Sequence, residues 1–294
     1  MSASAADGGL PELDIQPELT CALLVDFLRE EVGQAGFSRA LLGLSGGIDS
    51  AVSAALAARA FGAANVLAVN MPYRTSHPDS AAHAGLVADR LGLPVRAVDI
   101  SAMADGYIET AGIAAGTSTA GASADTYAVR RGNVFARCRM IVLYDLSVEW
   151  RGLVVGTSNK TEMLLGYSTQ WGDAAHALNP LGDLYKHQIY QLARYLEIPA
   201  ELIDKAPSAD LFEGQTDEQE LGFTYAAADR ILVRMVDERY GEDELVAEGF
   251  ERELVRRIAR KVVLSQYKRL PPVIAKLGQR SINHDFRYLR DWGI

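Results

Sequence analysis

Ser45-Gly46-Gly47-Ile48-Asp49-Ser50 stands between an apolar run, Leu41-Leu42-Gly43-Leu44, and an Ala-rich segment, Ala51 to Ala60. A strand, a tight turn and a helix N-terminus in that order form a cradle for an anion. The first N–H groups of a helix have no partner within it, and the helix dipole favours negative charge there. Gly46 and Gly47 let the backbone approach phosphate oxygens with no Cβ in the way. Asp49 would then lie beside the phosphates, where a carboxylate is repelled unless a cation intervenes. The loop therefore points to Mg²⁺.

Three chemistries use a loop of this kind. A Walker A loop needs Gly-Lys-Ser/Thr after the glycines, and none follows. A nucleophile elbow, G-x-S-x-G, is matched by Gly43-Leu44-Ser45-Gly46-Gly47 and would make Ser45 an acyl-transfer nucleophile. The pyrophosphate loop of ATP pyrophosphatases, S-G-G-x-D-S, uses every residue from Ser45 to Ser50, whereas the elbow leaves Asp49 and Ser50 without a role. A Gly-rich turn that binds nothing is the remaining alternative.

The elements that would position this loop alternate. Residues 17–32 read as a helix with Leu19, Leu23, Leu24, Phe27 and Leu28 on its apolar face. Strands are predicted at 40–44, 65–70, 95–100 and 153–156, and helices at 50–61, 78–91, 125–150 and 182–197. Strand–helix alternation predicts an α/β fold, a parallel sheet with helices on both faces. From Asp217 the pattern is helical, so helices are added at the C-terminal side. Residues 1–16 read as a flexible tail, and the small-residue stretch 111–124 as a flexible loop or a lid.

Composition narrows the function. The 294 residues carry a net charge of −9, which gives a nucleic-acid partner no electrostatic support. No apolar run approaches a membrane span, and the N-terminus has no signal-peptide pattern, so a cytoplasmic protein is expected. The two cysteines, Cys21 and Cys138, are far apart and suit a reducing compartment.

Ligands of open parallel sheets bind at the carboxyl ends of strands. A second Gly-containing turn, Gly156-Thr157-Ser158-Asn159, ends a predicted strand, as 45–50 does. If the two strands are neighbours, Asp49 and Glu162 can share one Mg²⁺. Gly132 to Met140 holds Arg137 and Arg139, two apart and so pointing about 200° from each other around a helix. One can reach a phosphate or carboxylate while the other serves a different neighbour.

Taken in order, SGGIDS, GNVFARCRM, GTSNKTEMLLGYSTQWGD, NPLGDLYKHQ, APSADLFEGQTDEQELG and SQYKRLPP resemble the ammonia-dependent NAD⁺ synthetases over roughly residues 20 to 272. The resemblance implies an adenine nucleotide alpha-hydrolase-like (Rossmann-like) subunit, spanning 17–272 with an extension at 273–294, that works as a homodimer. It implies a carbon–nitrogen ligase that activates the carboxylate of nicotinic acid adenine dinucleotide with ATP and amidates it with ammonia. By the same resemblance, Gly43, Leu44, Ser45, Gly46, Gly47, Ile48, Asp49 and Ser50 would hold the ATP phosphates, and Thr157, Lys186 and Ser208 would contact ATP. Asp49 and Glu162 would bind Mg²⁺, and Ser45 becomes a phosphate ligand rather than a nucleophile. Arg137, Gln170, Tyr267 and Lys268 would contact the deamido-dinucleotide, in part across the dimer, and Asp173 would place ammonia or take its proton.

The chain departs from that pattern in places. Gln170 stands where many members have Lys, Ala177 where many have Asp, Ser208 where Thr is common, and Tyr267 where His is common. His176 could supply a replacement polar contact. Neither cysteine has the setting of a glutaminase nucleophile, and residues 1–40 are too few for such a domain, so free ammonia is the expected donor.

Overall fold

The computed structural model describes residues 11–113, 124–205, 207 and 216–282. Four strands, β1 (Ala40–Gly43), β2 (Val66–Asn70), β3 (Val95–Ala97) and β4 (Leu153–Val154), pair in parallel in the order β3-β2-β1-β4. β1 is central: Leu41 is in register with Leu67 on one side and Val154 on the other. Its unbroken apolar run reflects burial on both faces. Ala40 and Leu42 enter one hydrophobic cluster and Leu41 enters the opposite one.

The first face is covered by α1 (Pro17–Gln34), α2 (Ile48–Phe61) and α3 (Pro78–Leu91). Ala51, Ala54, Ala55 and Ala57 of α2 are buried, and their small side chains let this helix lie close to its neighbours. The second face is covered by α4 (Ser101–Thr110) and α5 (Ala124–Trp150), where Phe135 stacks on Tyr73 at 4.1 Å. After β4 come the short α6 (Lys160–Leu165) and then α7 (Lys186–Tyr195), which returns to the first face through Ile189, Leu192 and Ala193. The remaining helices are α8 (Ala200–Ile203), α9 (Asp217–Leu221), α10 (Tyr225–Leu232), α11 (Glu242–Ala247) and α12 (Arg252–Leu264). A third cluster joins α10, α11 and α12 to α6 through Leu165, Leu232, Leu245 and Ile258.

Several details differ from the sequence expectation. Ordered structure begins by Pro11, inside the expected tail, because Leu13 is 1 % exposed in the third cluster and Gln191 accepts from the N–H of Ile15. On α1 the buried residues are Cys21, Val25, Leu28 and Val32, whereas Leu19 and Leu23 are 53 % and 61 % exposed. The helix carries two apolar stripes at helical spacing, and only the one through Leu28 packs against the core. α4 was not anticipated. The helix expected from 182 starts only at Lys186, after a turn. Most of the 111–124 stretch, and residues 283–294 of the extension, lie outside the described residues.

Candidate active site

The loop after β1 is braced internally. Ser50 Oγ donates to Gly47 O at 2.9 Å and accepts from Ser45 N at 3.3 Å, while Gly47 N donates to Ser45 Oγ at 3.3 Å. Asn70 Nδ2 holds Leu44 O at 3.1 Å from the neighbouring strand. Gly46 has φ +78°, and a Cβ there would fall 2.2 Å from Ser80 O of α3, so both the turn and the close approach demand glycine. The first intrahelical bond of α2 runs from Ala51 N to Gly47 O, so the N–H groups of Ile48, Asp49 and Ser50 precede the helix's own ladder.

The second turn follows β4, the strand beside β1, and this adjacency brings Glu162 to Asp49. Asn159 caps α6: its Oδ1 accepts from Glu162 N at 2.9 Å, and Glu162 Oε2 accepts from Asn159 N at 3.2 Å. The same Asn159 donates through Nδ2 to Asp49 Oδ1 at 2.9 Å, tying the two turns together. Lys186, at the first position of α7 and 2 % exposed, reaches back with Nζ 2.5 Å from Asp49 Oδ2 and 3.4 Å from Glu162 Oε1. The ammonium also lies 5.1 Å from the ring centre of the buried Tyr225.

The electrostatics of this trio are those of two acids and one cation out of water. Burial and the Asp49 charge push Glu162 up to about 8, against the opposing pull of Lys186. Burial alone would lower the Lys186 pKa, but Asp49 and Glu162 overcome it and hold the ammonium more firmly protonated than an ordinary lysine.

A third segment, residues 166–177, lies next to this pair of turns. A Cβ on Gly156 would sit 2.7 Å from the His176 ring, so the segment packs directly on the second turn. Asp173 Oδ1 accepts from Thr169 N at 2.8 Å. Protein crowding raises the Asp173 pKa, although the residue stays exposed and solvent screens the effect. Arg137 donates to Gln170 O at 3.2 Å, Thr169 Oγ1 donates to Asn133 Oδ1 at 2.7 Å, and Lys268 Nζ donates to Gly166 O and Ser168 O at 2.7 and 2.6 Å. Arg139 instead holds Met71 O at 3.0 Å, the divergence that a two-residue helical offset requires. Met140, Tyr144, Trp171, Ala174, Ala175 and His176 line an open cavity of about 260 Å³.

The structure thus brings Gly43 to Ser50, Glu162 and Lys186 into one group, and Arg137, Gln170, Asp173 and Lys268 into another, with Thr157 in the turn between. Tyr267 is 59 % exposed on the turn that carries Lys268. Ser208 lies outside the described residues. Sequence reading missed Asn159, Asn133, Thr161 and Asp229. Asn159 had a usable signal, an Asn followed three residues later by Glu. Asp229 had none, because nothing local marks it as 0 % exposed.

The NAD synthase family model matches residues 20–272. The NH(3)-dependent NAD(+) synthetase of Trichlorobacter lovleyi is 51 % identical over 97 % of this chain and all of its own length. Among solved structures, an NMN synthetase from Francisella tularensis has a TM-score of 0.77 at 30 % identity, covering 90 % of this chain and all of that one. An NH3-dependent NAD synthetase from Campylobacter jejuni has a TM-score of 0.72 at 31 % identity, with the same coverage. A glutamine-dependent NAD⁺ synthetase from Acinetobacter baumannii has a TM-score of 0.65 at 30 % identity, and this chain spans 50 % of it.

Proposed function

This chain belongs to the NAD synthase family, and we propose on that basis that it amidates nicotinic acid adenine dinucleotide with ammonia, converting ATP to AMP and pyrophosphate. The observation that carries the reading is the meeting of Lys186, Asp49 and Glu162 at the mouth of the Gly46-Gly47 loop. The substrate carboxylate attacks the α-phosphorus of ATP and pyrophosphate leaves. Negative charge then gathers on the departing group, where the loop N–H groups and the Lys186 ammonium oppose it. Ammonia attacks the resulting acyl adenylate, and AMP departs.

Asp49 and Glu162 fit Mg²⁺. They are oxygen donors that converge on one ammonium, and burial together with the Asp49 charge drives Glu162 toward protonation, a repulsion that a divalent cation would relieve. Bound there, Mg²⁺ would neutralise phosphate charge. Asp173, its pKa raised, would bind ammonium and accept a proton as neutral ammonia forms. Arg137 and Lys268 hold the carbonyls of the Asp173 segment, which supports a role at the acceptor's end of the site. Gln170 lies within that segment and Tyr267 stands next to Lys268, and both would contact the acceptor, while Thr157 and Ser208 would contact ATP.

Free ammonia as the donor is supported by the names of relatives of similar length, and by Cys138, a buried thiol whose pKa burial raises. The exposed Ile141, Tyr144 and Val148 along α5 support a homodimer formed through that helix. We place the enzyme in the cytoplasm and read 17–272 as one catalytic domain. Among the described residues, no helix is long and apolar enough to cross a membrane.

The test is an assay with ATP, Mg²⁺ and ammonia, run with nicotinic acid adenine dinucleotide and separately with the mononucleotide. The second arm follows from the NMN synthetase neighbour. Equimolar AMP, pyrophosphate and NAD⁺ with the dinucleotide are expected. Turnover with the mononucleotide alone would overturn the assignment of the acceptor.

A further inference from the structure

We propose that Asp229, a residue of α10, is a positioning residue that sets Lys186 against Glu162 by acting through Thr161. The proposal rests on the reading of Lys186 as a phosphate contact. Asp229 is 0 % exposed, and both its oxygens are engaged. Oδ1 accepts from Thr161 Oγ1 at 2.6 Å and Oδ2 accepts from His187 N at 2.8 Å. Thr161 Oγ1 in turn accepts from Lys186 N at 2.9 Å. The first two N–H groups of α7 therefore end, directly or through one hydroxyl, on a single carboxylate.

Helix N-termini are ordinarily capped from within the chain segment that precedes them. Here the residue before α7 is Tyr185; its N–H is held by Gln188 Oε1 at 2.9 Å and its hydroxyl donates to Asp237 Oδ2 at 3.0 Å, so it offers no acceptor to the N–H groups of Lys186 and His187. The capping task falls to a carboxylate 42 residues from His187. A local cap would fix α7 alone. A cap that works through Thr161 fixes α7 relative to α6, because Thr161 immediately precedes Glu162 on that helix. Lys186 and Glu162 are thereby referred to one rigid point beneath the site, and neither can shift without breaking a buried hydrogen bond. Burial pushes Asp229 up to about 6, still below neutrality, so the carboxylate remains an acceptor for both donors in neutral buffer.

The experiment compares Thr161→Val, Thr161→Ser and Asp229→Asn by calorimetric titration with ATP and Mg²⁺ without any acceptor, alongside steady-state kinetics. Thr161→Val keeps volume and removes the hydroxyl, Thr161→Ser restores the hydroxyl, and Asp229→Asn keeps an acceptor for His187 while losing the charge. Thr161→Val should weaken ATP binding about tenfold, the loss of about one hydrogen bond to a charged group, with the ammonia KM unchanged. Thr161→Ser should bind ATP as the wild type does, and Asp229→Asn should fall between. A lower melting temperature in Thr161→Val with ATP affinity unchanged would overturn the proposal, as would equal losses for ATP and ammonia. ATP binding is read without turnover, so failure of the proposed amidation reaction registers separately as an inactive wild type that still binds ATP.

Discussion

Lys186 Nζ and Asp49 Oδ2 lie 2.5 Å apart although 137 residues separate them in the chain. The contact is a consequence of strand order: β4 pairs with β1, so the turns that follow them open side by side, and the first residue of α7 reaches the carboxylates of both. A buried pair of this kind is costly to leave half-made, since removing one partner strands the other's charge.

Lys186→Met preserves the stem and deletes the cation. The metal-free protein should lose up to about 3–5 kcal/mol of stability, because Asp49 is left without its partner cation and Glu162, already pushed up to about 8, offers it no positive charge. The turnover number should fall by about 10² to 10³, the usual cost of losing one charged donor aimed at a developing anion. Added Mg²⁺ should restore melting temperature but not rate. Thermal unfolding with and without Mg²⁺, beside AMP release, checks both parts, and equal recovery of rate would show that the ammonium is dispensable.

The metal-free protein should also grow less stable with rising pH. Glu162 has a folded-state pKa of about 8 against an ordinary 4.5, so the folded chain binds that proton more tightly than the unfolded chain does. Its contribution is complete below 4.5 and is lost as pH climbs through about 8. Melting temperatures in EDTA between these limits should fall, and Glu162→Gln should flatten the slope. A slope unchanged by that substitution would remove Glu162 as its source.

Gly46→Ala tests the loop. Its backbone at φ +78° is strained for alanine, and the new methyl would meet Ser80 O. A cost of about 1–3 kcal/mol is expected, expressed as a weaker ATP complex, since the strain sits in the loop proposed to hold phosphate and α3 must move aside. ATP titration of the variant reads it, with the acceptor KM as the unaffected control.

Much of this architecture was readable because the signals are local. Alternating apolar runs, Gly punctuation and an Ala-rich helix identify β1, α2 and the loop from a window of about twenty residues. The approach of Glu162 to Asp49 was foreseeable only on condition that their strands be neighbours, and the order β3-β2-β1-β4 meets that condition. Burial was less legible: Leu19 and Leu23 look like core residues by spacing, yet the packing partner of α1 selects the stripe through Leu28. Long-range polar contacts were not legible at all. Nothing in the neighbourhood of Asp229 distinguishes it from a surface acid, and its two partners come from α6 and α7.

Lys268→Met should affect the acceptor's half of the reaction. Its ammonium bridges Gly166 O and Ser168 O, and with Arg137 on Gln170 O it fixes the backbone that leads to Asp173. Losing two charge-assisted bonds to one segment is worth about 1.5–3 kcal/mol each. The ammonia KM should rise and the ATP affinity should hold. If the ATP affinity fell equally, the segment would be coupled to the phosphate loop rather than to ammonia.

Asn159 performs two tasks that one substitution can separate. Its Oδ1 caps α6 and its Nδ2 orients Asp49. Asp is as good an N-cap as Asn, so Asn159→Asp keeps the helix start while turning a donor into an anion beside Asp49 Oδ1. Asn159→Ala removes both bonds but adds no charge. If orientation of Asp49 is the functional task, both variants lose activity. Asn159→Asp then has the unaltered helix and the stronger Mg²⁺ requirement, because a third carboxylate now waits for positive charge. If capping is what matters, Asn159→Asp should work nearly as well as wild type and Asn159→Ala alone should fail, with a loss of about 1 kcal/mol in stability. Mg²⁺ titrations of rate, beside melting curves of both variants, decide between the two. The 2.9 Å bond to Asp49 predicts the first outcome.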